Sequence, residues 1–107
     1  MSSLFDVEVD ISFLSTEEGG RGGYVTHRYF PQYEIDEGLR TGGAHQFLDA
    51  DSVQPGESAR AGVKFLGADA LSAKLRVGRS VRVLEGPKLV AHATITKIWN
   101  QALEEHS

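Results

Sequence analysis

A lone arginine, Arg21, stands between two glycine pairs in the run Glu17-Glu18-Gly19-Gly20-Arg21-Gly22-Gly23-Tyr24. Glycine accepts positive φ and lets another backbone come close, so the run reads as a sharp, shaped loop. An arginine fixed there presents a planar fork of donors suited to a phosphate or a carboxylate. Glu17, Glu18 and Asp36 lie near it in the chain and offer a plainer use for the same fork, an ion pair that holds the loop. That internal pairing is the expectation. The match of Arg21-Gly22-Gly23 to an RGG box is a single copy and carries little weight.

The other reactive side chains do not assemble into a catalytic pattern. Glu17 and Glu18 are adjacent, and neighbours in sequence do not face one another on any regular element, so solvated turn residues are expected. His27, His45, His92 and His106 show no i, i+4 or other metal-type spacing. They read as surface or strand residues, with His92 the candidate for a hydrogen-bonded group inside the fold. Ser15, Ser52 and Ser58 lack a Gly-x-Ser-x-Gly elbow. The four glycines around Arg21 miss the dinucleotide spacing, with Val25 where the last glycine should stand. His27-Arg28-Tyr29 with Arg21 forms at most a small basic and aromatic surface for RNA, against the plainer reading of a mixed strand face. No enzyme, cofactor or metal is expected.

Twelve glycines and three prolines in 107 residues indicate many turns and few rigid breaks. That length bounds the chain to a single domain with one hydrophobic core. The absence of cysteine removes disulfides, thiolate metal sites and a thiol nucleophile, and fits a reducing compartment. No signal peptide and no apolar span of bilayer length are visible, so a cytoplasmic protein with no membrane partner is expected. The formal charge of −4 favours solubility. An RNA contact would therefore need a local basic patch working against the mean.

Residues 5–13 alternate without a fault: Phe5, Val7, Val9, Ile11 and Phe13 on one face, Asp6, Glu8, Asp10 and Ser12 on the other. Period two predicts a half-buried strand. A second, aromatic strand is predicted over 25–35, with Pro31 at an edge, at a bulge or where the strand begins. Thr41-Gly42-Gly43 reads as a turn before a short third strand at 44–48, and 49–53 as a loop. Pro55-Gly56 fits a type II turn, followed by a fourth strand at 59–65. Residues 67–78 read as an irregular connection with a 3₁₀ turn. Strands at 80–84 and 89–99 flank a hairpin turn at 85–88. Trp99 is expected to cap the barrel, and residues 100–107 to fray. Six strands with regular turns predict an all-β fold closed into an antiparallel barrel, since an open sheet would expose its edges.

The order of these signals resembles the C-terminal, third β-barrel domain of bacterial elongation factor Tu. The resemblance spans about 5–98 and rests on Ser15-Thr16-Glu17-Glu18-Gly19-Gly20-Arg21, Pro31-Gln32-Tyr33, Pro55-Gly56-Glu57, Glu85-Gly86 and Thr96-Lys97-Ile98. It implies a translation-factor barrel that meets tRNA on one face and partner proteins on another. By motif, the implied tRNA- or partner-facing positions are Arg21, Gln32, Thr41, Gly42, Glu85 and Gly86. Gly22 replaces a histidine of that family, Pro87-Lys88 replace a Gly-Arg pair, and the basic residue it carries before its last hairpin has no counterpart here, with Leu71 and Ser72 nearby. With no G-x-x-x-x-G-K-[ST] run, neither a GTPase domain nor nucleotide binding is expected. The expected function is a non-catalytic binding module acting in or around translation, on tRNA or another RNA or on a translation-factor partner. The alternative is a protein-interaction inhibitor, such as an immunity or decoy protein that binds a toxin without touching nucleic acid.

Overall fold

The strict alternation seen in the sequence becomes strand β1 (Val7–Phe13), with Val7, Val9, Ile11 and Phe13 buried and Asp10 and Ser12 exposed. The computed structural model describes residues 4–105; Met1, Ser2, Ser3, His106 and Ser107 lie outside it. The other barrel strands are β3 (Gln32–Asp36), β4 (Leu39–Phe47), β6 (Ser58–Phe65), β7 (Ser80–Glu85) and β8 (Lys88–Ile98). They pair antiparallel in the order β1, β6, β4, β3, β7, β8, and β8 returns to β1 to close the cylinder. The expected closed six-stranded antiparallel barrel is therefore the fold. Two further pieces, β2 (Val25–Thr26) and β5 (Ser52–Val53), pair with each other outside it.

Several sequence expectations change. The long strand predicted over 25–35 is interrupted by a turn in which Tyr29 N–H donates to Thr26 O (3.3 Å), and Pro31 falls just before β3. Thr41, Gly42 and Gly43 lie within β4 rather than in a turn. Their glycines admit neighbours: a Cβ on Gly42 would lie 2.4 Å from the Phe30 ring, and one on Gly43 2.8 Å from Val63 Cγ1. The signal was close approach, not chain reversal. The turn at 54–57 forms as expected, with Gly56 at φ +86°, and the chain also reverses after β3 at Gly38, φ +79°.

Asp6 was assigned to the polar outer face and is instead buried. Its carboxylate accepts from Phe65 N–H (2.8 Å) and Asn100 Nδ2 (3.0 Å), and its carbonyl accepts from Trp99 and Asn100 N–H. Lys64 Nζ stands 3.5 Å away. These partners satisfy a charge that would be costly to bury alone. Phe5, outside β1, covers Gly62, where a Cβ would lie 2.5 Å from the Phe5 ring.

The core is one cluster built from the inward faces of all six barrel strands. Leu71, at the end of a 3₁₀ turn (Ala68–Leu71), joins it together with Leu75 and with Leu103 of a second turn (Gln101–Leu103). Burying each leucine is worth about 2 kcal/mol of transfer free energy. Residues 100–105, expected to fray, are thereby held: Leu75 N–H donates to Leu103 O (2.8 Å) and bridges Glu104. Trp99, expected as the cap, is 42% exposed outside the cylinder. Its Nε1–H donates to Glu8 (2.8 Å), and Lys97 Nζ lies 3.7 Å from its ring centroid.

Candidate functional site

The glycine-rich loop is folded on itself before it reaches Arg21. Ser15 N–H donates to Glu18 Oε1 (3.0 Å) while Glu18 N–H donates to Ser15 Oγ (3.1 Å), a reciprocal clamp. Gly19 adopts φ +93°, and Gly20 N–H returns to Ser15 O (2.9 Å). Gly20 is buried so tightly that a Cβ would lie 2.4 Å from the carbonyl oxygen of Leu14. Thr16 Oγ1 donates to Arg21 O (2.7 Å) and fixes the arginine backbone.

The Arg21 fork then closes on a partner that sequence proximity did not suggest. Its Nη1 donates to Glu85 Oε2, which also accepts the Tyr29 hydroxyl. Arg21 Cζ sits 5.3 Å from the Tyr29 ring centroid, a cation–π contact. Two of the three expected acidic partners are used elsewhere. Glu18 binds Ser15, and Asp36 pairs with Arg79 (2.8 Å) and Lys74 (3.6 Å). Internal pairing was the right kind of contact with the wrong residue, because barrel closure brings the 85–88 hairpin to the loop. Burial pushes the Tyr29 phenol up, and its hydrogen bond to Glu85 pushes it further. Burial opposes the Arg21 charge, but Glu85 more than compensates.

The residues singled out by resemblance divide into two groups. Gln32 stands opposite Gly42 on β4 and Leu84 on β7, one residue before Glu85. Gly86 carbonyl accepts from Arg40 Nη1 (3.0 Å). Arg21, Gln32, Gly42, Glu85 and Gly86 therefore share one side of the barrel. Thr41 does not: it is buried, and its hydroxyl accepts from Gly67 N–H (3.0 Å). Its position opposite Tyr33 on the inward face explains this.

Beside the clasp, an outward row crosses β4, β3, β7 and β8 through Arg40, Glu34, Arg82 and His92. Glu34 pairs with Arg40 (3.3 Å) and with Arg82 (2.9 Å). Neither arginine stood out in the sequence. The signal was available in the alternation of β3 and β7, which puts Glu34 and Arg82 outward. Arg21, Arg40, Arg82 and Lys88 against Glu34 and Glu85 leave two positive charges on this side, in a chain whose total is −4. Phe30, 52% exposed over Gly42, adds an aromatic face.

Behind the site lies a buried histidine, and it is His45 rather than His92, which is exposed. His45 Nδ1 faces two carbonyls, Tyr29 O (3.1 Å) and Gly43 O (3.0 Å), so it must carry the proton. Nε2 then accepts from Tyr33 O–H (2.8 Å). Burial lowers the His45 pKa to about 4, despite the opposing pull of the two carbonyls. Once β4 is read as one strand, Thr41, Gly43, His45 and Phe47 fall on its inward face, and the histidine is legible. Among the described residues there is no cluster of three or more potential metal ligands, and no helix is long and apolar enough to cross a membrane. No protein-family model and no curated protein matches the chain.

Proposed function

We propose that this chain is a non-catalytic binding module resembling the third barrel of elongation factor Tu, docking in the cytoplasm on the backbone of tRNA or another structured RNA. The observation that carries the reading is the outward row of Arg40, Glu34 and Arg82 beside the clasp of Arg21 with Glu85, a local positive excess on an acidic protein. Glu34 holds its two arginines in a fixed array, and a rigid array of guanidinium groups suits backbone phosphates. Gln32, the Gly42 backbone and Phe30 lie on the same side. The barrel supplies rigidity and the loops supply recognition.

A protein-directed role, as docking partner of a translation factor or as an inhibitor of a toxin, is the competing reading. It is favoured by Arg21 being already committed to Glu85. RNA affinity measured across salt separates the two. Electrostatic docking predicts a slope of about −0.9 per phosphate contacted in log affinity against log salt. Replacing Arg82, whose side chain is 53% exposed, by alanine should reduce that slope by about one. No RNA binding at low salt, with a single protein captured instead, would overturn the RNA reading in favour of the second.

A further inference from the structure

The geometry points to a phosphate-binding cleft formed by residues 21–29, beside the clasp and distinct from the strand face just described. This deepens the RNA reading by naming where one phosphate sits. An open cleft of about 260 Å³ runs between the glycine-rich loop and the 26–29 turn, floored by buried Val25 and flanked by Arg21, Tyr24, His27 and Arg28. None of the residues lining it is acidic. Among the described residues no carboxylate pairs with Arg28. Phe47 N–H donates to His27 Nδ1 (3.1 Å), so in the neutral ring Nε2 carries the proton and acts as a donor. Tyr24, 58% exposed, adds an aromatic ring and a hydroxyl.

The backbone of Arg28 gives the second, independent observation. It adopts φ +72°, a left-handed conformation costly for any side chain and natural to glycine. The turn enforces it: Tyr29 N–H reaches Thr26 O, and Arg28 N–H is tied to His45 O (3.0 Å). The chain meets the same demand with glycine at Gly19, Gly38, Gly56, Gly78 and Gly86. Only Arg28 and Ala73 depart from that among the described residues. An arginine in a glycine position, with its guanidinium unpaired and beside a cleft of donors, is explained by what the guanidinium binds. A phosphate satisfies such donors through charge-assisted hydrogen bonds. Its source is either a phosphodiester of an RNA chain or a free phosphomonoester.

The test uses Arg28→Gly, which suits the left-handed backbone and removes only the cation, with Arg28→Lys as the charge-retaining control. Amide signals of residues 24–29 are followed by NMR while inorganic phosphate, adenosine monophosphate or a short single-stranded RNA is added to the chain. The expected result is saturable shifts in the cleft, an affinity about tenfold lower in Arg28→Gly, most of it kept by Arg28→Lys, and a melting temperature of Arg28→Gly no lower than the parent's. Response to RNA but not to the monophosphates assigns the phosphate to a polymer. Response to the monophosphates alone keeps the cleft and removes the RNA reading. RNA binding with silent cleft amides, shifts unaltered in Arg28→Gly, or equal shifts with chloride would each overturn the cleft.

Discussion

Lowering the pH should destabilise this barrel through His45 before its paired carboxylates begin to matter. In the folded chain burial holds the imidazole neutral, with its pKa lowered from 6.5 to about 4. In the unfolded chain it takes up a proton as the pH falls below about 6.5. Between those values the unfolded state binds more protons, so stability falls as the pH falls. The two pKa values give a loss of about 2 kcal/mol from pH 7 to pH 5, approaching about 3 kcal/mol below pH 4. Glu18, held down by the Ser15 backbone and hydroxyl, and Asp36, held down chiefly by Arg79, have their pKa values lowered from 4.5 and 3.8. Their stabilisation is lost only as the pH falls through those lower values, so a pH 5 endpoint isolates the histidine. The assay is urea unfolding at pH 7 and pH 5, read by far-ultraviolet circular dichroism and Trp99 fluorescence, on the parent and His45→Gln. The glutamine variant should start less stable but lose about 2 kcal/mol less across the interval. Equal losses would refute the reasoning. So would a native His45 ring signal that titrates between pH 6 and 7 by NMR, a result that does not depend on how the variant folds.

Two glycine substitutions with the same 2.4 Å clash should part company, because one meets backbone and the other a ring at the edge of the fold. Gly20→Ala should cost about 3 kcal/mol, roughly 12 °C or more in melting temperature, whereas Gly42→Ala should cost below about 1 kcal/mol as Phe30 swings aside. Glu85→Ala and Arg21→Ala should each destabilise by about 1 kcal/mol and combine less than additively in denaturant melts, since they remove one shared contact; strict additivity would deny the clasp. At high pH the Tyr33 phenol, raised chiefly by burial, and that of Tyr29 keep protons that the unfolded chain releases near 10.0. Stability should therefore fall as the pH rises through that value, read as loss of circular dichroism, and a Tyr33→Phe variant should fall less steeply.

The cylinder was legible because period-two patterning survives in β1, in β6 and in β7 as far as the bulge at Val83 and Leu84, and because Pro55-Gly56 and Glu85-Gly86 are turns that need little context. Gly42 and Gly43 misled because a glycine that admits a neighbour looks the same in sequence as one that reverses the chain. Once they were read as a turn, β4 lost its first half, and with it the inward register that places His45. Asp6 was misassigned for a related reason. Alternation says which side a residue faces, but not that a second segment will cover that side. The site was legible only in part. Arg21, Gln32, Gly42, Glu85 and Gly86 do gather, but the partner of Arg21 lies 64 positions away, and no local pattern carries that information. Thr41, implied by the same resemblance, belongs to the interior.

The Asp6 carboxylate joins the start of the first barrel strand to the end of β6 and to Asn100, beyond the last strand. On a ribosome those donors emerge in order, so the seam of the cylinder stays unzipped until Asn100 has been made. The first strand must wait for the last. Closure is then a single late event, and a barrel lacking the segment from Asn100 onward would leave a buried acid with too few donors and a β1 margin open to other molecules.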